Sequence, residues 1–437
     1  MPKLAINGGI PIREASFPNQ VNIGMEERLA VDRVMDRQML SGYRGNAQKY
    51  RGGREIRAFE KMFQEKFNVK HAIAVNSCTS ALHVACMAID LQPGDEVIVS
   101  PYSMTCSATI PMLCGATPIF ADVEPLYFCI DPDDVERKIT NKTKAIIAVD
   151  IFGQPFNEKI NEIAEKHNII VIEDAAQAIG AERLGKVSKS AYTGTLGDMG
   201  CFSFTQGKHI TAGEGGMVTT NNDKLAMKCR LLMNHAEAVI NDIDNTKPVG
   251  DDMAKMYGLN LRMTELQAAI AAEQLKKLDF FIGKRQENAK YLANALNNAK
   301  IPVTASLIRP NCTHTYYCQA FHYLDGLAEG IHRDTFINAV KAELTGMDGR
   351  EDEGVRMGNG YIKPLYRMPV FRHRFQDVVG NSERLVTDNI FPLPNVEKLW
   401  RDDLFLHLYL APPTTRADLD DIIEAFVKVW ENREELR

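Results

Sequence analysis

The sequence predicts an α/β protein: a large domain with a mostly parallel central sheet, followed by a smaller C-terminal α+β domain. Three observations carry that expectation. From about residue 70, short β-branched apolar runs alternate with helix-like stretches. After Gly216 the rhythm changes to longer helical patterns mixed with short strands. A chain of 437 residues also exceeds the size at which one hydrophobic core stops growing. We expect residues 1–280 to form the large domain, with 1–25 as an N-terminal arm, and 281–437 to form the small one.

In chain order, Ala72-Ile73-Ala74-Val75, Glu96-Val97-Ile98-Val99, Pro118-Ile119-Phe120-Ala121, Ala145-Ile146-Ile147-Ala148-Val149 and Ile169-Ile170-Val171-Ile172 read as buried strands bounded by turn residues. Between the last two, Phe156 to His167 places Ile160, Ile163 and Ala164 on one helical face, and Asn168 ends it. This βαβ rhythm implies parallel strands with helices on both faces. Further on, Thr264 to Leu278 and Lys284 to Asn298 read as two helices and Tyr316 to Tyr323 as a strand. Asp334 to Leu344 and Arg416 to Trp430 again read as helices, and the Gly-, Asp- and Glu-rich Thr345 to Asn359 as a mobile insertion or a solvated loop.

A net charge of -6 without dense Lys/Arg blocks argues against a nucleic-acid partner and favours small molecules. No apolar run approaches the ~18 residues of a membrane span, and Met1 to Gly9 lacks the apolar core of a signal peptide, so a cytoplasmic enzyme is expected. The nine cysteines are scattered, without metal-ligand spacing. They read as reduced packing residues, and no metal is expected.

The most informative stretch is Cys201-Phe202-Ser203-Phe204-Thr205-Gln206-Gly207-Lys208, which leads into His209-Ile210-Thr211-Ala212-Gly213-Glu214-Gly215-Gly216. One lysine stands between an aromatic-rich strand and a glycine-rich turn, where a Schiff-base lysine for pyridoxal phosphate is expected. Upstream, the run Ile169 to Ile172 ends in Glu173-Asp174-Ala175-Ala176-Gln177. A carboxylate at the carboxyl end of a strand meets a ligand, and Asp174 either pairs with a pyridine nitrogen or caps the next helix. In Asn76-Ser77-Cys78-Thr79-Ser80, a helix start offers free N–H groups to a phosphate, or Ser77 or Thr79 is an ordinary N-cap. Ser203 can add a hydroxyl.

Read together, these motifs resemble the sugar aminotransferases of the DegT/StrS family, pyridoxal-phosphate enzymes of the aspartate aminotransferase-like fold (type I). The resemblance spans most of the chain. It implies that Lys208, in Phe-Ser-Phe-x-x-x-Lys followed by Gly-Glu-Gly-Gly, is the cofactor lysine, and that Asp174 and Gln177 hold the pyridine nitrogen and the ring hydroxyl. It further implies that Ser77, Cys78, Thr79 and Ser203 seat the phosphate. Gly258-Leu259-Asn260-Leu261-Arg262-Met263 is similar to a segment whose asparagine, here Asn260, reaches the phosphate of a neighbouring subunit; a homodimer with shared sites follows. Two positions depart from the pattern: Cys78 stands for a glycine, and Met104 for an aromatic that stacks on the ring. Met104 either lies against the ring through its thioether or belongs to the core.

A related dehydratase branch carries histidine at the lysine position, so Lys208 favours a transaminase that moves an amino group from glutamate or glutamine to a ketone of a sugar or cyclitol. A cofactor-dependent dehydratase and a non-catalytic regulatory protein that retains the cofactor remain the alternatives. The run Ile362 to Phe371 and the opening Leu4 to Pro11 look more like the keto-cyclitol and aminobenzoate-forming branch than the nucleotide-sugar branch. His314, Tyr316, Tyr366, Arg367 and His407 are candidate substrate contacts or structural residues.

Overall fold

The computed structural model describes residues 3–20, 22–43, 50–185, 190–236, 256–373 and 393–437. In the first part of the chain the strands are β1 (His71–Val75), β2 (Glu96–Val99), β3 (Thr117–Phe120), β4 (Thr143–Val149) and β5 (Ile170–Asp174). The short pair β6 (Glu182–Arg183) and β7 (Ala191–Tyr192) follows, then β8 (Met199–Ser203) and β9 (Gly216–Thr220). All but β6 and β7 join one seven-stranded sheet, ordered β1-β9-β8-β5-β4-β2-β3. β8, β5, β4, β2 and β3 are mutually parallel, while β9 runs antiparallel to both β8 and β1. The five strands read from apolar runs are all present, β2 with the same bounds and the others with ends shifted by one or two residues.

Helices α1 (Met25–Asp36) and α2 (Arg54–Phe67) precede this sheet. Then come α3 (Cys78–Ala88), α4 (Cys106–Leu113), α5 (Pro132–Lys138), α6 (Lys159–His167), α7 (Asp223–Leu232) and α8 (Glu265–Asn298). Strand alternation explains how β8 is seated. Phe202 stacks edge-on against Phe63 at 4.9 Å, and Phe204, one pleat further, meets Phe59 at 5.4 Å, so the aromatic face packs on α2. Cys201 and Ser203 face the other side.

The two helices expected between 264 and 298 are one helix of 34 residues, α8. Gly283 stood between the two patterns. A mid-helix glycine costs only about 1 kcal/mol relative to alanine, and burial of Phe281 and Ile282 offsets it.

The rest of the chain forms β10 (Val303–Ala305), β11 (Gln319–Tyr323), α9 (Arg333–Ala342), β12 (Met357–Asn359), α10 (Pro369–His373), α11 (Pro394–Lys398), β13 (Leu404–His407) and α12 (Arg416–Glu431). Its antiparallel sheet has the order β10-β11-β13-β12. A second core gathers Phe321, Phe336, Phe405 and Phe426, together with Leu4 and Phe17 from the start of the chain. The Thr345 to Asn359 stretch is not a free loop. The Phe17 N–H donates to the Gly346 carbonyl at 2.9 Å, the Asp348 N–H donates to the Phe17 carbonyl at 2.8 Å, and residues 357–359 add the edge strand β12. Among the described residues, no helix is long and apolar enough to cross a membrane.

Candidate active site

The carboxyl ends of β1, β5 and β8 converge, and their sequences decide what they present there. Asp174 is the last residue of β5 and is paired in register with Cys201 of β8. Pleating sends Asp174 to the face that carries Cys78 and Ser107, while its neighbour Glu173 turns to the opposite face. The Asp174 carboxylate accepts hydrogen bonds from the Ser107 hydroxyl at 3.2 Å, the Ala176 N–H at 3.2 Å and, weakly, the Cys78 thiol at 3.8 Å. It has no ion-pair partner among the described residues. Burial raises its pKa, opposed by the Ala176 N–H and then by the Lys208 charge.

Gln177 is clamped at both ends of its amide. Its carbonyl accepts from the Phe152 N–H at 2.8 Å and its amino group donates to the Tyr361 hydroxyl at 3.0 Å. At the end of β1, Ser77 is the N-cap of α3 and accepts from the Ser80 N–H at 3.0 Å. α3 begins at Cys78, so Cys78 and Thr79 form its first turn, and neither takes a positive φ. The start of β9 lies against this turn: a Cβ on Gly216 would come within 2.4 Å of the Ser77 carbonyl group, which only glycine permits.

Lys208 sits in the loop between β8 and β9. The neck of that loop is closed by hydrogen bonds from the Phe204 N–H to the Gly215 carbonyl and from the Ala212 N–H to the Phe204 carbonyl, both 2.9 Å. The Lys208 N–H donates to the Thr205 carbonyl at 3.0 Å, and Nζ lies 4.3 Å above the centre of the Tyr317 ring. Ser203 is buried nearby on β8, its hydroxyl accepting from the Thr205 N–H at 3.4 Å. His209 next door is fully buried. Its Nε2 lies 3.0 Å from the Thr315 carbonyl and therefore carries the proton, and burial pushes its pKa well down.

The remaining sequence candidates fall at varied places. Met104, just ahead of α4, is 53% exposed, which removes the core alternative. Asn260 is exposed beside the Ser77 turn, because the Asn76 N–H donates to the neighbouring Leu261 carbonyl at 2.9 Å; its side chain accepts from Arg262 at 2.8 Å. His314 is buried and stacked on Tyr316 at 4.1 Å; its Nδ1 accepts the Tyr316 N–H, and burial holds its pKa near 3. Tyr366 and Arg367 both grip Glu397 of α11, Arg367 through two bonds of 2.6 and 2.7 Å. His407 is the last residue of β13, with both ring nitrogens buried and without a hydrogen-bond partner among the described residues, its pKa likewise pushed to about 3 by burial.

Three residues that the sequence did not single out belong to this cluster: Ser107 on Asp174, Tyr361 on Gln177 and Tyr317 beneath Lys208. Tyr317 missed selection by one position. Tyr316 takes a positive φ of 53°, which turns the chain so that the second tyrosine of the pair meets the lysine.

The model of the DegT/DnrJ/EryC1/StrS aminotransferase family matches residues 37–405. A putative L-glutamine:3-amino-2,3-dideoxy-scyllo-inosose aminotransferase of Streptoalloteichus tenebrarius is 30% identical, covering 100% of this chain and 99% of its own length. A GDP-perosamine synthase of Caulobacter vibrioides is 35% identical over 86% of this chain and 90% of its own. Among solved structures, the aminotransferase from Psychrobacter cryohalolentis superposes with a TM-score of 0.78 at 31% identity, covering 95% of this chain and 99% of that one. By sequence, by fold and by the lysine between β8 and β9, the chain belongs to the DegT/DnrJ/EryC1/StrS aminotransferase family.

Proposed function

We propose that this aminotransferase uses pyridoxal 5'-phosphate, held by Lys208, to move an amino group from glutamate or glutamine to a ketone on a sugar or cyclitol. The observation that carries the reading is the placement of Lys208 over Tyr317, within the electrostatic reach of the buried Asp174. The donor set suits that cofactor. Asp174 is a buried carboxylate lacking an ion-pair partner among the described residues, as a cationic pyridinium requires. The start of α3 with Ser77, Cys78 and Thr79, together with Ser203, offers N–H groups and hydroxyls to a phosphate. A Cβ on Gly207 would meet nothing within 4 Å, so space lies open beside the lysine.

When bound, the cofactor supplies an electron sink that stabilises negative charge on the carbon being deprotonated. The chain's own residues do the rest. Asp174 would keep the ring nitrogen protonated, Gln177 would donate toward the ring hydroxyl, and exposed Met104 would be the residue to cover the ring face. Lys208 Nζ takes and returns the proton at the reacting carbon, and the Tyr317 ring holds that ammonium in place.

The full-length scyllo-inosose aminotransferase relatives support a keto-cyclitol, and the perosamine synthases a nucleotide-linked ketosugar. We further propose a homodimer in which Asn260 serves the neighbouring site. Exposed Met25, Leu29, Tyr257 and Leu259 are apolar surface of the kind such an interface covers. A cytoplasmic setting suits the nine free thiols. The proposed division at about residue 280 is crossed by α8.

The test is Lys208→Ala assayed with glutamate, glutamine and a panel of ketoses, keto-cyclitols and nucleotide-linked ketosugars. Turnover is expected to fall by at least roughly 100- to 10,000-fold. Wild-type turnover in that variant would sink the assignment.

A further inference from the structure

The peptide unit between Thr315 and Tyr316 is held by two imidazoles. His209, which follows Lys208, donates from Nε2 to the Thr315 carbonyl at 3.0 Å, and Nδ1 of His314 accepts the Tyr316 N–H at 2.9 Å. Each histidine is only 4% exposed. Burial, then the Arg285 charge, pushes the His209 pKa well down, and burial pushes that of His314 down to about 3, so both rings are neutral. A neutral imidazole has one donor and one acceptor nitrogen. The peptide takes the donor of one ring and the acceptor of the other. Nδ1 of His209 is buried without a hydrogen-bond partner among the described residues, so this ring relays no proton to Lys208. What it contributes is the bond to Thr315.

That peptide decides where Tyr317 stands. Turning it over would change the Tyr316 φ of 53° and break both imidazole bonds, because its N–H and carbonyl would exchange sides. A non-glycine residue at positive φ persists where its surroundings hold it. The flanking groups are fixed as well. The Thr315 N–H donates to the Gly153 carbonyl at 2.8 Å and the Tyr317 N–H to the Phe152 carbonyl at 2.9 Å. Arg285 of α8 donates to the carbonyls of Tyr316 and Tyr317, at 2.9 and 3.2 Å. These bonds anchor both sides of the turn, and the two histidines grip its central peptide. Past that peptide, the Tyr317 ring centre lies 4.3 Å from Lys208 Nζ.

We propose that His209 and His314 are positioning residues: they clamp the Thr315–Tyr316 peptide from both ends and thereby set the Tyr317 ring beneath Lys208. The role rests on the aminotransferase reading and adds to it the pair that orients the lysine. It makes His314 a support of the turn rather than a contact with substrate.

The experiment follows the cofactor absorbance of the loaded protein titrated with L-glutamine and L-glutamate, and records visible circular dichroism before either is added. His209→Leu and His314→Leu are each expected to lower the limiting rate about tenfold, the worth of about one hydrogen bond, with the half-saturating donor concentration within about twofold of wild type. His209→Gln keeps an amide N–H for Thr315 and His314→Asn keeps an acceptor for Tyr316, so each should stay within about threefold of the wild-type rate. The circular dichroism of the cofactor should fall in the leucine variants and recover in these two. In a Tyr317→Leu background, His209→Leu should lower the rate no further, because the ring it positions is gone. Where His209→Leu does not fold, His209→Asn, whose amide is too short to reach Thr315, takes its place with the same expected loss. Wild-type rate and circular dichroism in His209→Leu overturn the proposal and leave the aminotransferase reading standing. So does a tenfold loss repeated in full without the Tyr317 ring. A wild type whose cofactor absorbance answers neither amino acid overturns both.

Discussion

At the end of β5 two adjacent carboxylates face opposite ways, and their environments separate their roles. Asp174 faces the Lys208 side. Glu173 faces Asp150, and both of these are fully buried, each with one carboxylate oxygen lacking any conventional donor. The other oxygens are satisfied: Asp150 accepts from the Phe156 N–H at 2.8 Å and Glu173 from the Leu196 and Gly197 N–H groups at 2.8 and 3.2 Å. Burial, then the Glu173 charge, raises the Asp150 pKa well above its ordinary value, and burial raises that of Glu173, so the pair holds one proton between them. Because the folded state binds this proton more tightly than the unfolded chain, stability is greatest below the ordinary aspartate range and declines as pH rises toward the folded value. Asp150→Asn keeps an oxygen for Phe156 and offers an N–H to Glu173. Its urea midpoint should therefore fall less than that of wild type as pH rises above the ordinary aspartate range; an equal fall in both proteins would remove the shared proton from the account.

Among the elements, α2 and α8 show how local and distant signals divide the work. α8 starts at a capping box, Thr264 with Gln267, which is written in four consecutive residues. α2 starts at Gly53, which has no side chain to cap with. Its orphan N–H groups are met from afar: buried Glu265, the first residue of α8, accepts from the Gly53 N–H at 3.1 Å and the Glu55 N–H at 2.8 Å. Glu265→Ala should cost about 2–4 kcal/mol, read from urea unfolding, because two buried donors lose their acceptor. Glu265→Gln keeps an acceptor oxygen and should cost less. The start of α8 was legible from residue 264 onward, whereas the cap of α2 was not, since no pattern within α2 points to a residue about 210 positions away.

For the whole molecule, the site joins the two sheets. Tyr361, two residues past β12, receives the Gln177 amide, and its own N–H donates to the Tyr102 hydroxyl at 2.8 Å. Tyr361→Phe should release bound cofactor about fivefold faster on dilution, the worth of about one hydrogen bond, with the fold intact by circular dichroism. Release at the wild-type rate would mean that Gln177 needs no support from the second sheet. Reading outward from this junction, the strands of the large sheet, the carboxylate at the end of β5, the cap at Ser77 and the lysine beyond β8 were all legible by themselves, because each depends on residues within about ten positions in the chain. Ser107, Tyr317, Tyr361 and Arg285 were not: they reach the site only when a helix start, a positive-φ turn, an edge strand and the middle of a long helix are packed together. Tyr366, Arg367 and His407 looked equally suitable as sequence, yet the fold commits the first two to Glu397 and seals the third inside β13. The sequence by itself determined the α/β class, the parallel strands and the family's lysine, since pleat and helix periods and short motifs are local properties. Only the tertiary structure decided which polar side chains surround that lysine, because burial and charge pairing are set by neighbours distant along the chain.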